Sequence, residues 1–266
     1  MNRPKVLYKF EAINEYSLRN LKNASLYFNK PSSFNDPFDC SIMNNSVVLS
    51  DGDFVRIFNH MLDTNEIFGF SRASSKNDLP VGFEKQVTDG LKRAIEKKQN
   101  ECLHNLGCTC FSETNSHLLM WSHYANGHKG MCLEFDTSVE LFNKVYNVSY
   151  SDEFPKFNPV NVILNKNNKE FNRDTFEPLL TKFICWGYEQ EWRAFHKEPN
   201  KLYTYPVGSL KSVYFGVSTE RADMEIVCLI LLGQNKKVKF YRGTKSTKKF
   251  EIEFEEFTYT PYIETI

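Results

Sequence analysis

Apolar and polar positions follow two periods along this chain, and each change of period marks an element. Val6 to Phe10 reads as a strand. Asn14 is placed to cap a helix through about Leu21, with Tyr16, Leu18 and Leu21 at its apolar positions. Ser25 to Asn29 predicts a second strand. Lys30 to Cys40 carries Pro31, Ser32-Ser33 and then Phe34-Asn35-Asp36-Pro37-Phe38-Asp39, which is turn chemistry. From Ser50, a capping residue, to about Phe68 the apolar residues Phe54, Val55, Ile57, Phe58, Met61 and Leu62 recur at helical spacing. A polar loop from Phe68 to Val81 follows. A second helix covers about Gly82 to Leu103, with Phe83, Val87, Leu91, Ala94 and Ile95 on one face. The pair makes residues 43–106 a helical insertion.

Cys108 to Asp136 predicts strand, helix, strand. Thr109 to Phe111 extends and ends at Ser112. Asn115 or Ser116 is a candidate cap for a short helix from about His117 to Ala125. Asn126-Gly127 ends it, because both residues tolerate the left-handed conformation. Lys129 to Phe135 then alternates, with Met131, Leu133 and Phe135 on one face and Gly130, Cys132 and Glu134 on the other.

Further on, Ser138 to Phe142 predicts a turn of helix, Lys144 to Tyr150 a strand, and Asp152 to Asn168 a polar loop. Lys169 to Phe183 predicts a helix with Phe176, Leu179, Leu180 and Phe183 inward. Trp186 to Arg193 predicts a strand. One face holds Trp186, Tyr188, Gln190 and Trp192, and the other holds Glu189, Glu191 and Arg193. Same-face neighbours then lie roughly 7 Å apart. Leu202 to Val207 and Val213 to Gly216 extend. Ser218 or Thr219 is the candidate cap of a deeply packed helix from Glu220 to Leu232, stopped by Gly233. Lys237 to Tyr241 and Phe250 to Tyr259 close the chain as strands. The expected fold is a single α+β domain with a mixed or antiparallel sheet and the helical insertion.

Composition narrows the function classes. Acidic and basic residues balance at 33 each, which implies no global attraction to nucleic acid. The 23 Phe and 13 Tyr argue against disorder. Seven cysteines without a regular framework read as reduced thiols, so a cytoplasmic setting is expected. Met1 to Lys5 leads straight into a strand without a signal-peptide core. The longest apolar run, Ile226 to Leu232, is too short to span a membrane, so no membrane partner is expected.

No Gly-rich phosphate loop is present, and no His pair has metal-site spacing; no metal is assigned. Two carboxylates beside a guanidinium on one strand face remain. Glu189 and Glu191 repel each other and Arg193 favours their ionised forms, so their pKa values could separate. The plain alternative is a half-exposed strand carrying a surface ion pair. Asp36 and Asp39 either act chemically or hold their loop, and residue chemistry favours the loop.

Several motifs together resemble a widespread bacterial family best known as a domain of uncharacterised function. They are Leu7-Tyr8-Lys9-Phe10, Phe34 to Asp39, Cys110-Phe111-Ser112, Leu119 to Ala125, His128-Lys129-Gly130, Glu134-Phe135-Asp136 and Trp186 to Arg193. A less extensive resemblance is to the ADP-ribosyltransferase superfamily, with its split sheet. That fold carries an Arg or His on an early strand, a Ser or Tyr on a middle one and a Glu on a late one, sometimes as Glu-x-Glu. The matching positions here are Lys9, Ser112 and Glu191, with Glu189 two residues earlier. Lys9 departs from the pattern, which makes Tyr8 or His123 the candidate for the missing contact.

The resemblance implies NAD as substrate and a transferase or NAD glycohydrolase. A toxin or anti-phage defence role against a protein or nucleic-acid acceptor would follow. Glu191 would stabilise an oxocarbenium-like state and Glu189 would orient or deprotonate the acceptor. Trp121 or Tyr124 would stack on a ring, and Arg193 would hold the carboxylates or a phosphate. Two other readings stand beside it. One is a non-catalytic binding module. The other is a metal-dependent hydrolase or nuclease using Asp36, Asp39, Glu189 and Glu191, with Asn35 nearby.

Overall fold

Alternation along Val6–Glu11 sorts its side chains onto two faces, and both faces are used. In the computed structural model, which describes residues 3–40, 48–139, 142, 144–155, 160, 164 and 177–260, this strand (β1) lies inside a mixed sheet. The strands that follow it are β2 (Ser25–Phe28), β3 (Gly107–Ser112), β4 (Met131–Asp136), β5 (Val145–Asn147) and β6 (Ser149–Ser151). Then come β7 (Thr181–Phe183), β8 (Glu191–His196), β9 (Lys201–Thr204), β10 (Leu210–Phe215), β11 (Lys239–Lys245) and β12 (Ile252–Phe257). Eight of them form one sheet in the order β12-β11-β10-β4-β1-β3-β8-β5, while β2-β9 and β6-β7 are two-stranded. Within the large sheet only β10-β11 is parallel among the registered pairs. With the helices α1 (Glu15–Lys22), α2 (Asp51–Asp63), α3 (Phe83–Asn105), α4 (Leu118–Tyr124) and α5 (Arg221–Leu232), the fold is α+β.

Chain contacts divide it into two compact units. The first comprises Met1–Ser33, Asn105–Val148 and Ile184–Ile266, and the second Phe34–His104 and Ser149–Phe183. The first holds the large sheet. One face of that sheet presents Leu7, Phe111, Met131, Leu133, Phe135, Val213 and Phe215 to a core completed by Leu21 and by Met224, Val227, Cys228 and Leu231 of α5. Each fully buried aliphatic or aromatic side chain there contributes about 1.5–3 kcal/mol. The other face carries Tyr8, Phe10, Cys132 and Tyr214, with Met120, Trp121 and Ala125 of the α4 region packed over them. In the second unit, Ile57 and Phe58 of α2 meet Phe83 of α3, together with Ala73 and Val160.

Caps explain where the helices begin. Asn14 accepts hydrogen bonds from the Tyr16 and Ser17 amides while Ser17 Oγ receives the Asn14 amide at 3.0 Å, a reciprocal box. Ser50 and Asp53 repeat that arrangement at α2. Helix α2 stops five residues before the predicted end, because Asn65 turns left-handed (φ 57°) and the Glu66 amide returns to the Met61 carbonyl. Neither Asn115 nor Ser116 caps α4. Its N-cap is His117, and the Asn115 carbonyl accepts instead from Trp121 Nε1 at 2.7 Å. Thr219 does not cap α5, since its hydroxyl donates to the Gly130 carbonyl at 2.9 Å. Ile226 and Leu229 of α5 are 44% and 52% exposed, so that helix is packed on one stripe only.

Three further expectations are revised. The strand predicted over Lys144–Tyr150 breaks at Val148, whose amide donates to the Glu191 carbonyl, and β6 then pairs with β7. Of the helix predicted over Lys169–Phe183, residues 169–176 lie outside the described residues. Glu177–Leu180 is a 3-10 turn and Thr181–Phe183 a strand, consistent with the missing amide of Pro178. In the turn predicted at Ser138–Phe142, residues 140 and 141 lie outside the described residues, and Phe142 stacks on Phe135 at 4.9 Å. Much of the loop predicted over Asp152–Asn168 also lies outside them. The last strand starts at Ile252 rather than Phe250, which is 98% exposed.

The connection from α4 to β4 is tightly fitted. Asn126, Gly127 and His128 are all left-handed (φ 49°, 61° and 67°). The His128 carbonyl accepts the Ser218 amide at 3.0 Å. A Cβ on Gly216 would stand 2.2 Å from that same carbonyl. Overpacking against backbone costs about 1–3 kcal/mol. Gly216→Ala is therefore expected to lower the urea-unfolding free energy by about 2 kcal/mol, and a wild-type midpoint would contradict this packing.

Candidate active site

The site is built on β8 and on the turn before it. The strand predicted from Trp186 does not start there. Ile184–Glu189 winds as a 3-10 segment and Gln190 is left-handed, at φ 46°. Its amide reaches back to the Gly187 carbonyl at 3.3 Å, and its carbonyl accepts the Glu113 amide at 3.1 Å. Glu189 therefore precedes the strand instead of alternating within it.

From Glu191 onward the alternation holds. Arg193 Nε donates to Glu191 Oε1 at 2.7 Å and its Nη2 donates to Oε2 at 3.0 Å, a two-pronged contact. Arg193 is 0% exposed and Glu191 5%. The surface ion pair is thus excluded as a description. A buried pair owes its persistence to good geometry, and losing one partner strands the other charge. Glu189 is buried as well. Its backbone carbonyl accepts from Ser112 Oγ at 2.6 Å, and its carboxylate Oε1 accepts from Tyr124 Oη at 2.5 Å.

Strand register places further groups on this face. Ser212 pairs with Glu134, Glu134 with Tyr8, Tyr8 with Ser112, and Ser112 with Glu191. A polar row therefore crosses five adjacent strands, with neighbours about 5 Å apart. Tyr214 Oη donates to Glu134 Oε2 at 2.6 Å. The Tyr8 ring meets Tyr214 edge-on at 6.1 Å, and Tyr214 stacks on Tyr241 at 4.7 Å. Burial pushes the Tyr8 phenol up to about 12, helped by the charge of Glu134. The Tyr214 phenol is raised too, by burial first and then by its bond to Glu134.

Beside Tyr124 lies a cluster of partly exposed rings. His117 stacks on Tyr188 at 5.0 Å and 18°. His123 lies 6.3 Å from Tyr124 and 6.4 Å from both Trp186 and Tyr188. Such rings offer flat surfaces to a planar ligand. Trp121, an expected stacking residue, is fully buried between α4 and the sheet and spends its indole N–H on the Asn115 carbonyl. It is core.

Tyr8, Ser112, Glu189, Glu191 and Arg193 are thus brought to one sheet face, with Tyr124 and His123 from α4 beside it. Lys9 is not. It lies on the opposite face, pairs with Leu133, approaches the Phe111 ring at 5.8 Å and donates to the Cys110 carbonyl at 3.4 Å. Alternation alone separates it from Tyr8, whose side chain takes the position opposite Ser112.

Asn35, Asp36 and Asp39 belong to the second unit. Asn35 is exposed. Asp36 Oδ1 accepts the Phe38 amide at 2.9 Å, a turn-holding role. Asp39 pairs with Lys182 at 3.7 Å in a buried contact. Among the described residues, no group of three or more His, Cys, Asp or Glu is placed to hold a metal ion.

Reading the sequence missed Glu134, His117, Trp186 and Tyr188. Glu134 was visible as a carboxylate on the polar face of an alternating strand. Trp186 and Tyr188 were assigned to the far face of a strand that does not exist there.

Residues 120–194 match a family described as "Protein of unknown function (DUF2971)". That segment contains most of α4, all of β4 and the Glu189–Arg193 stretch, and over it the chain is similar to that family. No curated protein and no solved structure matches the chain.

The raised phenols have a consequence at alkaline pH. Tyr8 has a folded-state pKa above its ordinary value of 10.0. Its stabilising effect is therefore complete below pH 10 and is lost as pH rises through about 12. Tyr8→Phe is expected to flatten the fall of unfolding free energy across that window, measured by urea melts at stepped pH. A slope equal to that of the wild type would show that Tyr8 is not desolvated.

Proposed function

We propose that this sheet face binds NAD and that the chain acts as an ADP-ribosyltransferase-like enzyme or NAD glycohydrolase. The observation that carries the reading is the register of Tyr8, Ser112 and Glu191 across β1, β3 and β8, with Glu189 on the turn just before. The superfamily pattern asks for an Arg or His on an early strand, a Ser or Tyr on a middle one and a Glu on a late one; Ser112 and Glu191 stand in the last two positions, and Tyr8 departs from the first. Tyr8 takes the place that Lys9 vacates by facing the other way.

The chemistry follows from the groups. The bond between nicotinamide nitrogen and ribose carbon breaks, and its electron pair leaves with nicotinamide. Glu191, held by Arg193, stabilises the positive charge that develops on the ribose. The acceptor nucleophile bonds to the same carbon and gives its proton to Glu189. The rings of His123, Trp186 and Tyr188 offer stacking surfaces for nicotinamide or adenine. A bacterial toxin or defence protein acting on a protein or nucleic acid is the setting this activity suggests.

A second reading has its own observation. Glu191 is chelated by a guanidinium and nearly sealed from solvent, as suits a non-catalytic binding module whose ion pair shapes the face.

The test is nicotinamide release from NAD by the wild type, Glu191→Gln and Glu189→Gln. Glu191→Gln is expected to lower release by about 100-fold or more per folded molecule, with near-UV circular dichroism giving the folded fraction. Glu189→Gln keeps an oxygen acceptor for Tyr124. It is expected to slow transfer to an acceptor more than hydrolysis. Failure of the wild type both to bind and to cleave NAD would overturn the enzyme reading in favour of the binding module.

A further inference from the structure

The hairpin between β11 and β12 bounds a cleft of about 670 Å³ that the carboxylate site does not use. Its floor is apolar, with Leu118, Val217 and Ile252, and its rim carries Lys245, Lys248 and Lys249. Ser218 and Thr247 add hydroxyls to the wall, and His128 closes one side. Lys249 lies 4.0 Å from Glu251. Among the described residues, Lys245 and Lys248 make no ion pair. In a chain whose charges balance at 33 each, this is a local excess of positive charge.

The wall is built rather than incidental. The His128 backbone is left-handed and is held by the Ser218 amide on its carbonyl at 3.0 Å, where Gly216 makes room. That fixes an imidazole against the cleft. Among the described residues its Nδ1 is buried without a hydrogen-bond partner. A buried polar atom left unmatched is costly. Burial, and then the charge of Lys245, depress the His128 pKa. The Lys245 charge that opposes a second positive charge on the imidazole favours an anion nearby.

We infer that this cleft binds a phosphate-bearing small molecule of nucleotide size. The lysine rim and hydroxyls meet the phosphates, and the apolar floor meets the organic part. Pockets of about 300–1,000 Å³ hold ligands of that size. The cleft stands or falls independently of the carboxylate site, since it shares no catalytic residue with it.

The experiment uses the whole chain with pyrophosphate, ADP, adenosine and a short single-stranded oligonucleotide, titrated by calorimetry at low salt. ADP and pyrophosphate are expected to bind, ADP more tightly, and adenosine weakly or not at all. The imidazole resonances of His128 are expected to shift on ADP addition. The triple variant Lys245→Gln, Lys248→Gln, Lys249→Gln is expected to lose about tenfold or more in ADP affinity at unchanged melting temperature, because exposed lysines contribute little to stability. The proposal is overturned if neither pyrophosphate nor ADP binds, or if the triple variant binds ADP like the wild type. Binding of the oligonucleotide alone also overturns it, since that marks a polymer surface.

Discussion

The guanidinium of Arg193 has no access to water, and the site is arranged around meeting that demand. Burying an unpaired charge costs several kcal/mol, a large share of a domain's stability, so a partner with matched geometry is favoured strongly. Glu191 supplies it from two residues away on the same strand face, through both of its oxygens. The pairing requires residues 191 and 193 to be extended, so β8 starts at Glu191. The chain must then enter that strand through a turn, which Gln190 provides with a left-handed backbone. The turn lifts Glu189 out of the alternation and sets its carbonyl on Ser112 and its carboxylate on Tyr124. One electrostatic constraint thus places two carboxylates in different environments a few residues apart.

The sheet extends this constraint sideways. Because Ser112 opposes both Tyr8 and Glu191, the ion pair, the serine and the phenol form one row, and Glu134 continues it past β1. The same face is apolar where α4 covers it, through Phe10, Cys132 and Trp121. Polar chemistry and packing therefore share a surface, divided by which residue of each strand faces it. The raised phenol of Tyr8 records the desolvation at that boundary.

Much of this was legible in the sequence, for identifiable reasons. Strands β1, β3, β4 and β10 and helices α1 to α3 announce themselves through period and capping residues, which are local. Alternation alone puts Glu191 and Arg193 on one face, whereas their burial does not follow from it. The rest depended on partners distant in sequence. The 3-10 entry into β8 is not signalled by its own residues, because Trp186 to Gln190 has the composition of a strand. Lys9 was assigned to the site by its place in a motif, whereas the face it occupies depends on the register of β1 against β3 and β4. Trp121 reads as a stacking residue because its burial between α4 and the sheet face cannot be seen from one segment.

The most direct measurement is a double-mutant cycle on the unfolding free energy, with Glu191→Gln, Arg193→Met and the pair. Each single change breaks the two-pronged buried contact and is expected to cost about 3–5 kcal/mol. Removing both loses the shared contact only once, so the double variant is expected to lose less than the sum by about 1–3 kcal/mol. Costs that add to within about 0.5 kcal/mol would contradict the claim that this pair organises the site.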